Sequence, residues 1–96
     1  MATSSPTSIA QIAFRLRSTR EALELTPTEL CKQVGIRTNT WSQWENGKGR
    51  PELDKGLLLC DKLGVTLDWI YRGDPGGLPV RIASKLRILT DRAKAS

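Results

Sequence analysis

From Ile9 onward, apolar residues recur along the chain with the period of an α-helix. Positions three and four apart carry Ile9, Ile12, Ala13, Leu16 and Leu23, while charged residues occupy the other faces. This pattern predicts a first helix from Ile9 to about Glu24, with Ser8 as its N-cap. Residues 1–8 are small and polar and include a proline, so we expect a disordered N-terminal arm.

Two short helices follow, each bounded by clear start or stop signals. Thr26-Pro27-Thr28-Glu29 combines an N-cap threonine, a proline at the first helical position and a glutamate that completes a capping box. The second helix therefore begins at Pro27, and Gly35 can take the left-handed conformation that ends it. The third spans about Thr38 to Glu45 and stops at Asn46-Gly47.

The remaining pattern predicts three more helices. Arg50-Pro51 opens a fourth that stops at Gly64, and its inner face is predicted to carry Leu53, Leu57, Cys60 and Leu63. Thr66 is predicted to cap a short fifth helix, Leu67 to Arg72, which Gly73 ends. Residues 74–78 are rich in glycine and proline and indicate a hinge. A last amphipathic helix, 79–94, carries Ile82, Leu86, Leu89 and Ala93.

The third helix has two chemically different sides. A helical wheel places short amide and hydroxyl side chains on one side and Thr40, Trp41 and Trp44 on the other. The tryptophans are expected to anchor the helix in the core. The polar side could enter the DNA major groove and read base edges, since Asn and Gln suit adenine and Ser and Thr adapt to several partners.

An ordinary solvated face is the alternative interpretation of these polar residues. Thr, Asn and Ser are poor helix formers, however, and a merely solvated helix would more economically use Glu, Lys and Ala. The face is also uncharged, which is unusual for a surface and suits groove readout. Both observations favour a reading role.

Composition narrows the class of protein without naming a function. Ninety-six residues, 39% hydrophobic and 26% charged, suit one small globular domain. The net charge of +5 points weakly to a polyanionic partner. Residues 79–96 contain five basic residues and one acidic residue, which is +4 of that total and leaves only +1 for residues 1–78.

Few residues could support catalysis or bind a metal. The chain has no histidine, and Cys31 and Cys60 are its only cysteines. Two cysteines without histidine make a poor zinc site, and both fit buried helix positions better than a reactive thiol. We therefore expect no enzyme activity, no metal and no cofactor. Without an apolar stretch resembling a signal peptide or membrane span, a cytoplasmic location is expected.

The segment TPTELCKQVGIRTNTWSQWENGK resembles the helix-turn-helix of the Cro and phage-repressor family, also called the XRE family. The resemblance extends from about Ile9 to Gly73 and includes GVTLDWIYRG, which is similar to that family's fifth helix. It implies an all-α fold, a compact five-helix lambda-repressor-like domain over 9–73 with a helix-turn-helix. The amphipathic helix 79–94 would be added to that domain.

The resemblance also implies roles for individual residues. The third helix would be the recognition helix, with base contacts from Thr38, Asn39, Ser42 and Gln43. Arg20 and Glu45 match a pair that forms a partly buried salt bridge in some relatives. Asn46 and Lys48 match positions that hold phosphates in family members. Apart from the resemblance, phosphate contacts are also expected from Thr28, Arg37 and Arg50.

One departure from the family pattern concerns the start of the second helix. Many phage relatives carry a glutamine where this chain has Pro27, and that glutamine contacts the DNA backbone. Proline cannot replace it. The backbone N–H groups of Thr28 and Glu29 could still receive a phosphate, provided that the Glu29 carboxylate turns back towards Thr26.

Two functions of different classes follow from these observations. The first is a sequence-specific transcription regulator, most simply a homodimeric repressor on a palindromic DNA operator. The second is an interaction module such as an antitoxin, with a protein partner and secondary DNA binding. The last helix could fold back on its own domain or cross to a partner subunit. We expect dimer contacts through the fifth helix and this tail.

Overall fold

The computed structural model describes the backbone of residues 5–95 and the side chains of residues 5–87. The described backbone forms helices and no strand, so the predicted all-α fold is confirmed. In chain order the helices are α1 (Ile9–Ala22), α2 (Pro27–Val34), α3 (Thr38–Glu45), α4 (Leu53–Leu63), α5 (Asp68–Arg72) and α6 (Val80–Ala95). Helix α1 contacts α3, α5 and α6, and α2 contacts α3 and α4.

Local signals determine both ends of α2. The Thr26 side chain accepts a hydrogen bond from the Glu29 backbone N–H at 3.1 Å, and the Glu29 carboxylate accepts one from the Thr26 N–H at 2.9 Å. This is the predicted capping box. Gly35 has φ 90° and ends the helix in the left-handed conformation. The bounds predicted for α2 and α3 are confirmed.

Helix α1 ends two residues earlier than predicted. Its last helical residue is Ala22, and Glu24 adopts a left-handed φ of 59°. The Leu25 N–H then bonds back to the Arg20 carbonyl at 3.2 Å, which closes the helix end without a glycine. The other end is as predicted, because the Ser8 side chain caps the Gln11 N–H at 3.2 Å.

The predicted inner face of α4 is confirmed for Leu63 and for the partly buried Cys60, but it is wrong for Leu53 and Leu57. Leu53 and Leu57 are 63% and 44% exposed, and the buried positions are instead Gly56, Leu59 and Leu63. Because Leu57, Leu58 and Leu59 are consecutive, the sequence is compatible with two alternative buried faces. The face that is buried in the structure is the one on which Gly56 lies against Tyr71. A Cβ at Gly56 would lie 2.5 Å from the Tyr71 hydroxyl oxygen, so only glycine permits this approach.

The start of α4 also differs from the prediction. Pro51 and Glu52 are not helical, and the helix begins at Leu53. The Tyr71 hydroxyl donates a hydrogen bond of 2.7 Å to the Pro51 carbonyl, which holds this segment outside the helix.

Helix α6 packs on its own domain. Ile82 and Leu86 are 1% and 6% exposed and belong to the same core as Ile12 and Leu16 of α1. Lys85 adds a 2.8 Å ion pair with Glu24 at the end of α1. These two apolar side chains therefore cover the core, in contrast to the expected dimer contact. The Leu89 and Ala93 side chains lie outside the described residues.

The N-terminal arm is described from Ser5 onward, and residues 1–4 lie outside the described residues. Residues 5–8, which belong to the arm expected to be disordered, form a turn closed by a 2.9 Å bond from the Ser8 N–H to the Ser5 carbonyl. The Arg15 guanidinium donates to the Pro6 carbonyl and, at 3.0 Å, to the Ile70 carbonyl. A buried arginine thus joins this turn to α5.

Candidate nucleic-acid interface

Helix α3 is held from behind by two buried tryptophans. Trp41 and Trp44 are 1% and 6% exposed, and their rings meet edge to face with centroids 5.9 Å apart. The prediction that they anchor the helix in the core is confirmed. Their burial fixes the rotation of α3 about its axis and therefore decides which side chains point outward.

The outward side of α3 carries the residues predicted to contact bases. Thr38, Asn39, Ser42 and Gln43 are all exposed. Asn46, just past the helix end, donates to the Ser42 hydroxyl at 3.3 Å. Gly47 follows with φ 72°, and the Lys48 N–H closes the turn on the Gln43 carbonyl at 2.9 Å. Lys48 is thereby placed, exposed, at the C-terminal end of the polar face.

A groove of about 580 Å³ brings several predicted contacts together. It runs between α1, the start of α2 and α3, and its lining includes Thr28, Thr38, Asn39, Ser42 and Asn46. Gln43, Arg37, Lys48 and Arg50 are exposed outside it. Arg50 donates a 3.2 Å hydrogen bond to the Thr7 carbonyl, which ties the predicted phosphate contact to the N-terminal turn.

Arg20 and Glu45 form the salt bridge that the resemblance implies. The Glu45 carboxylate accepts from Arg20 Nε at 2.7 Å and from Arg20 Nη2 at 3.2 Å, and it also accepts from Trp41 Nε1. Burial alone would raise the pKa of Glu45, but the hydrogen bonds from Arg20 and Trp41 and the Arg20 charge hold it below its usual value. The carboxylate thus links α1 to the back of α3.

Arg17 also lines this groove, although it was not among the residues predicted to contact DNA. Its Nε donates to Glu45 Oε1 at 3.3 Å, and its side chain is 53% exposed. Arg17 and Arg20 are three apart on α1, a spacing that puts both on one helix face. That spacing was the available signal, but only the packing of α1 against α3 shows that both reach Glu45.

The start of α2 offers fewer free donors than expected. Pro27 has no N–H, and the Glu29 N–H is taken by the Thr26 hydroxyl. The prediction that the Glu29 N–H could receive a phosphate is therefore wrong, because the capping box uses it. Thr28, which lines the groove, keeps its N–H at the second helical position, where no preceding turn supplies an acceptor.

Comparison with known proteins agrees with this architecture. The sequence profile of the helix-turn-helix domain family matches residues 11–70, which is more than half of the chain. The chain belongs to the helix-turn-helix domain family. The matched range begins in α1 and ends in α5, so it contains α3, the residues that line the groove and most of the core.

Two curated relatives from bacteria and phage are similar over the same region. The chain is 26% identical over 58 residues to the cryptic phage CTXphi transcriptional repressor RstR of Vibrio cholerae, covering 60% of this chain and 52% of the relative. It is 34% identical over 56 residues to the uncharacterized HTH-type transcriptional regulator YobD of Bacillus subtilis, covering 58% and 50%. The chain thus spans about half the length of these relatives. No solved structure matches.

Within residues 5–95, no helix is long and apolar enough to cross a membrane. Cys31 is buried in the core and Cys60 is partly buried. Burial raises the pKa of both thiols, which keeps them protonated at neutral pH and fits the packing role expected for them.

Proposed function

We propose that this chain is a sequence-specific DNA-binding regulator of transcription, most simply a cytoplasmic repressor without enzyme activity, that reads the major groove with α3. The observation that carries the proposal is the exposed, uncharged face of Thr38, Asn39, Ser42 and Gln43 on a helix fixed from behind by Trp41 and Trp44. A helix fits the major groove, and short amide and hydroxyl groups can pair there with base edges.

Backbone contacts would surround this reading face. We assign them to Thr28, Arg37, Asn46, Lys48 and Arg50, all of which are exposed. Asn46 and Thr28 line the groove beside α3, and Lys48 lies at the end of the polar face. Contacts to phosphate would set the register of α3 on the duplex, while contacts to base edges would supply sequence preference.

The short length of α3 supports binding as a homodimer to a palindromic operator. Helix α3 has eight residues and is therefore about 12 Å long, which spans roughly four base pairs at about 3.4 Å each. Such a short element specifies few bases. Two copies related by two-fold symmetry would double the site, with half-sites about one helical turn apart.

The antitoxin-like alternative is the less favoured function. A module kept only for a protein partner has no need of an uncharged polar face on α3, and one relative is named a repressor and the other a transcriptional regulator. Those names support regulation of transcription for this chain as well.

Selection of bound duplexes from a random DNA pool tests the proposal directly. We expect enrichment of a palindrome with two short half-sites, bound by a dimer in analytical ultracentrifugation. Recovery of unenriched sequences, together with affinity no greater than for bulk DNA, would contradict sequence-specific regulation. Enrichment of a single half-site by a monomer would contradict only the dimer.

A further inference from the structure

Arg17 is the second arginine that pairs with the Glu45 carboxylate, which already forms a salt bridge with Arg20. The Glu45 side chain is 8% exposed and is held by both Nε and Nη2 of Arg20 and by Trp41. One arginine balances its charge. Arg17 approaches the same carboxylate through a single 3.3 Å bond from Nε, so the group of two arginines and one glutamate carries a net positive charge.

That surplus charge faces the groove. Arg17 is 53% exposed, against 16% for Arg20, and it lines the groove together with Thr28, Asn39 and Asn46. Because Nε makes the bond to Glu45, the guanidinium still has N–H donors on its two terminal nitrogens. The bond also orients the planar group, so less side-chain freedom would be lost when it binds an anion.

The neighbouring start of α2 offers an anion few hydrogen-bond donors. The Glu29 carboxylate accepts a hydrogen bond from the Thr26 N–H at the N-cap, and Glu29 does not line the groove. Pro27 lacks a donor and the Glu29 N–H is occupied, so Thr28 is the donor that remains among these first residues of α2. An anion in this groove would therefore depend on a side-chain cation, and Arg17 is the arginine of the groove that is open to solvent.

We propose that Arg17 binds a phosphate of the DNA backbone in the groove between α1, α2 and α3, held in place by Glu45. This inference rests on the proposed function, because it names an additional contact of the same DNA-binding surface. Arginine suits the role because its fork of N–H donors matches phosphate oxygens in a bidentate way. The competing role for Arg17 is a structural one, as an additional tie between α1 and Glu45.

Salt-dependent binding to duplex DNA separates these two roles. The probe is a fluorescently labelled, mixed-sequence duplex two helical turns long, so that no operator needs to be known. Affinities of the wild type, R17A, R17Q and R17K are measured by anisotropy across a salt series. R72A is the matched control, because Arg72 is an exposed arginine paired with Asp68 at 3.9 Å and lies outside the groove.

One phosphate contact contributes about 0.9 to the slope of log affinity against log salt. Between about 50 and 200 mM salt, the wild type should therefore lose about 3.5-fold more affinity than R17A or R17Q. R17K should keep the wild-type slope, and R72A should keep it too. R17Q can still donate to Glu45, so it decides the question if R17A folds poorly.

Two results would overturn the inference. Slopes of R17A and R17Q equal to that of R72A would remove Arg17 from the interface. A lowered melting temperature in both variants with an unchanged slope would make Arg17 structural. Absence of any salt-dependent binding by the wild type is a different outcome, because it would refute the proposed function and the inference together.

Discussion

The two sides of α3 differ in what their residues touch. Trp41 and Trp44 lie in the core, and Glu45 is tied to Arg20, whereas Thr38, Asn39, Ser42 and Gln43 are exposed to solvent. A change on the first side should therefore alter stability, and a change on the second should alter recognition with little effect on stability. Helix α3 has only eight residues, yet neighbouring positions on it can be tested separately for a role in stability and a role in recognition.

The largest expected effect is from Trp44→Ala. Truncation of a buried aromatic residue costs about 3–5 kcal/mol, which is a large part of the stability of a chain of this size. Urea denaturation should show this loss, while Gln43→Ala, one residue earlier and exposed, should leave the midpoint unchanged. Equal stability of the two variants would mean that α3 is rotated differently from the structure described here.

The double variant Asn39→Ala with Gln43→Ala should lose sequence preference. Each amide that pairs with an adenine edge contributes about 1–3 kcal/mol of discrimination. The ratio of affinities for selected and scrambled duplexes should fall towards one, with the melting temperature retained. Undiminished discrimination by the double variant would show that these two amides do not read bases.

Glu45→Gln should weaken the link between α1 and α3 by about 2 kcal/mol at neutral pH, because the ion pair is lost and the Arg20 guanidinium can then donate only to a neutral amide oxygen. The pKa of Glu45 is lowered in the folded protein, so its contribution is present above the ordinary carboxyl value of about 4.3 and is lost as pH falls through the folded pKa.

Denaturation midpoints measured from neutral pH down to about pH 3 test this linkage. Wild-type stability should fall towards acid more steeply than that of Glu45→Gln, so the two curves should converge. Parallel curves would show that Glu45 does not account for the acid sensitivity. Glu24 and Glu29 also have lowered pKa values, so some slope should persist in the variant.

Lys48→Ala should have the smallest effect, confined to binding. Loss of one phosphate contact should make the salt slope shallower by about one unit for all duplexes alike, without a change in sequence preference. Lys62→Ala, which removes an exposed lysine at the end of α4, is the control. A sequence-dependent loss in Lys48→Ala would instead place this lysine against a base.

The elements with strong local signals were predictable from the sequence. Helix α2 has a capping box at one end and Gly35 at the other, and these interactions involve residues close along the chain. The two sides of α3 were equally predictable, because large aromatic and short polar side chains are separated at a helical period. The proposed base contacts depend on that separation and on the resemblance of α3 to a recognition helix.

Other features were decided by contacts between distant segments. The chain alone allowed two buried faces for α4, and the fit of Tyr71 against Gly56 selected one of them. It allowed α6 to fold back or to cross to a partner, and the space beside α1 accepted Ile82 and Leu86.

Arg17 shows the same limit at the candidate site. Its position in the sequence, three residues before Arg20, shows only that both lie on one face of α1. The excess positive charge at the groove exists because α1 and α3 pack so that both arginines reach one carboxylate. Periodicity and capping are local and can be read along the chain, whereas the sharing of Glu45 depends on residues more than twenty positions apart and so required the tertiary structure.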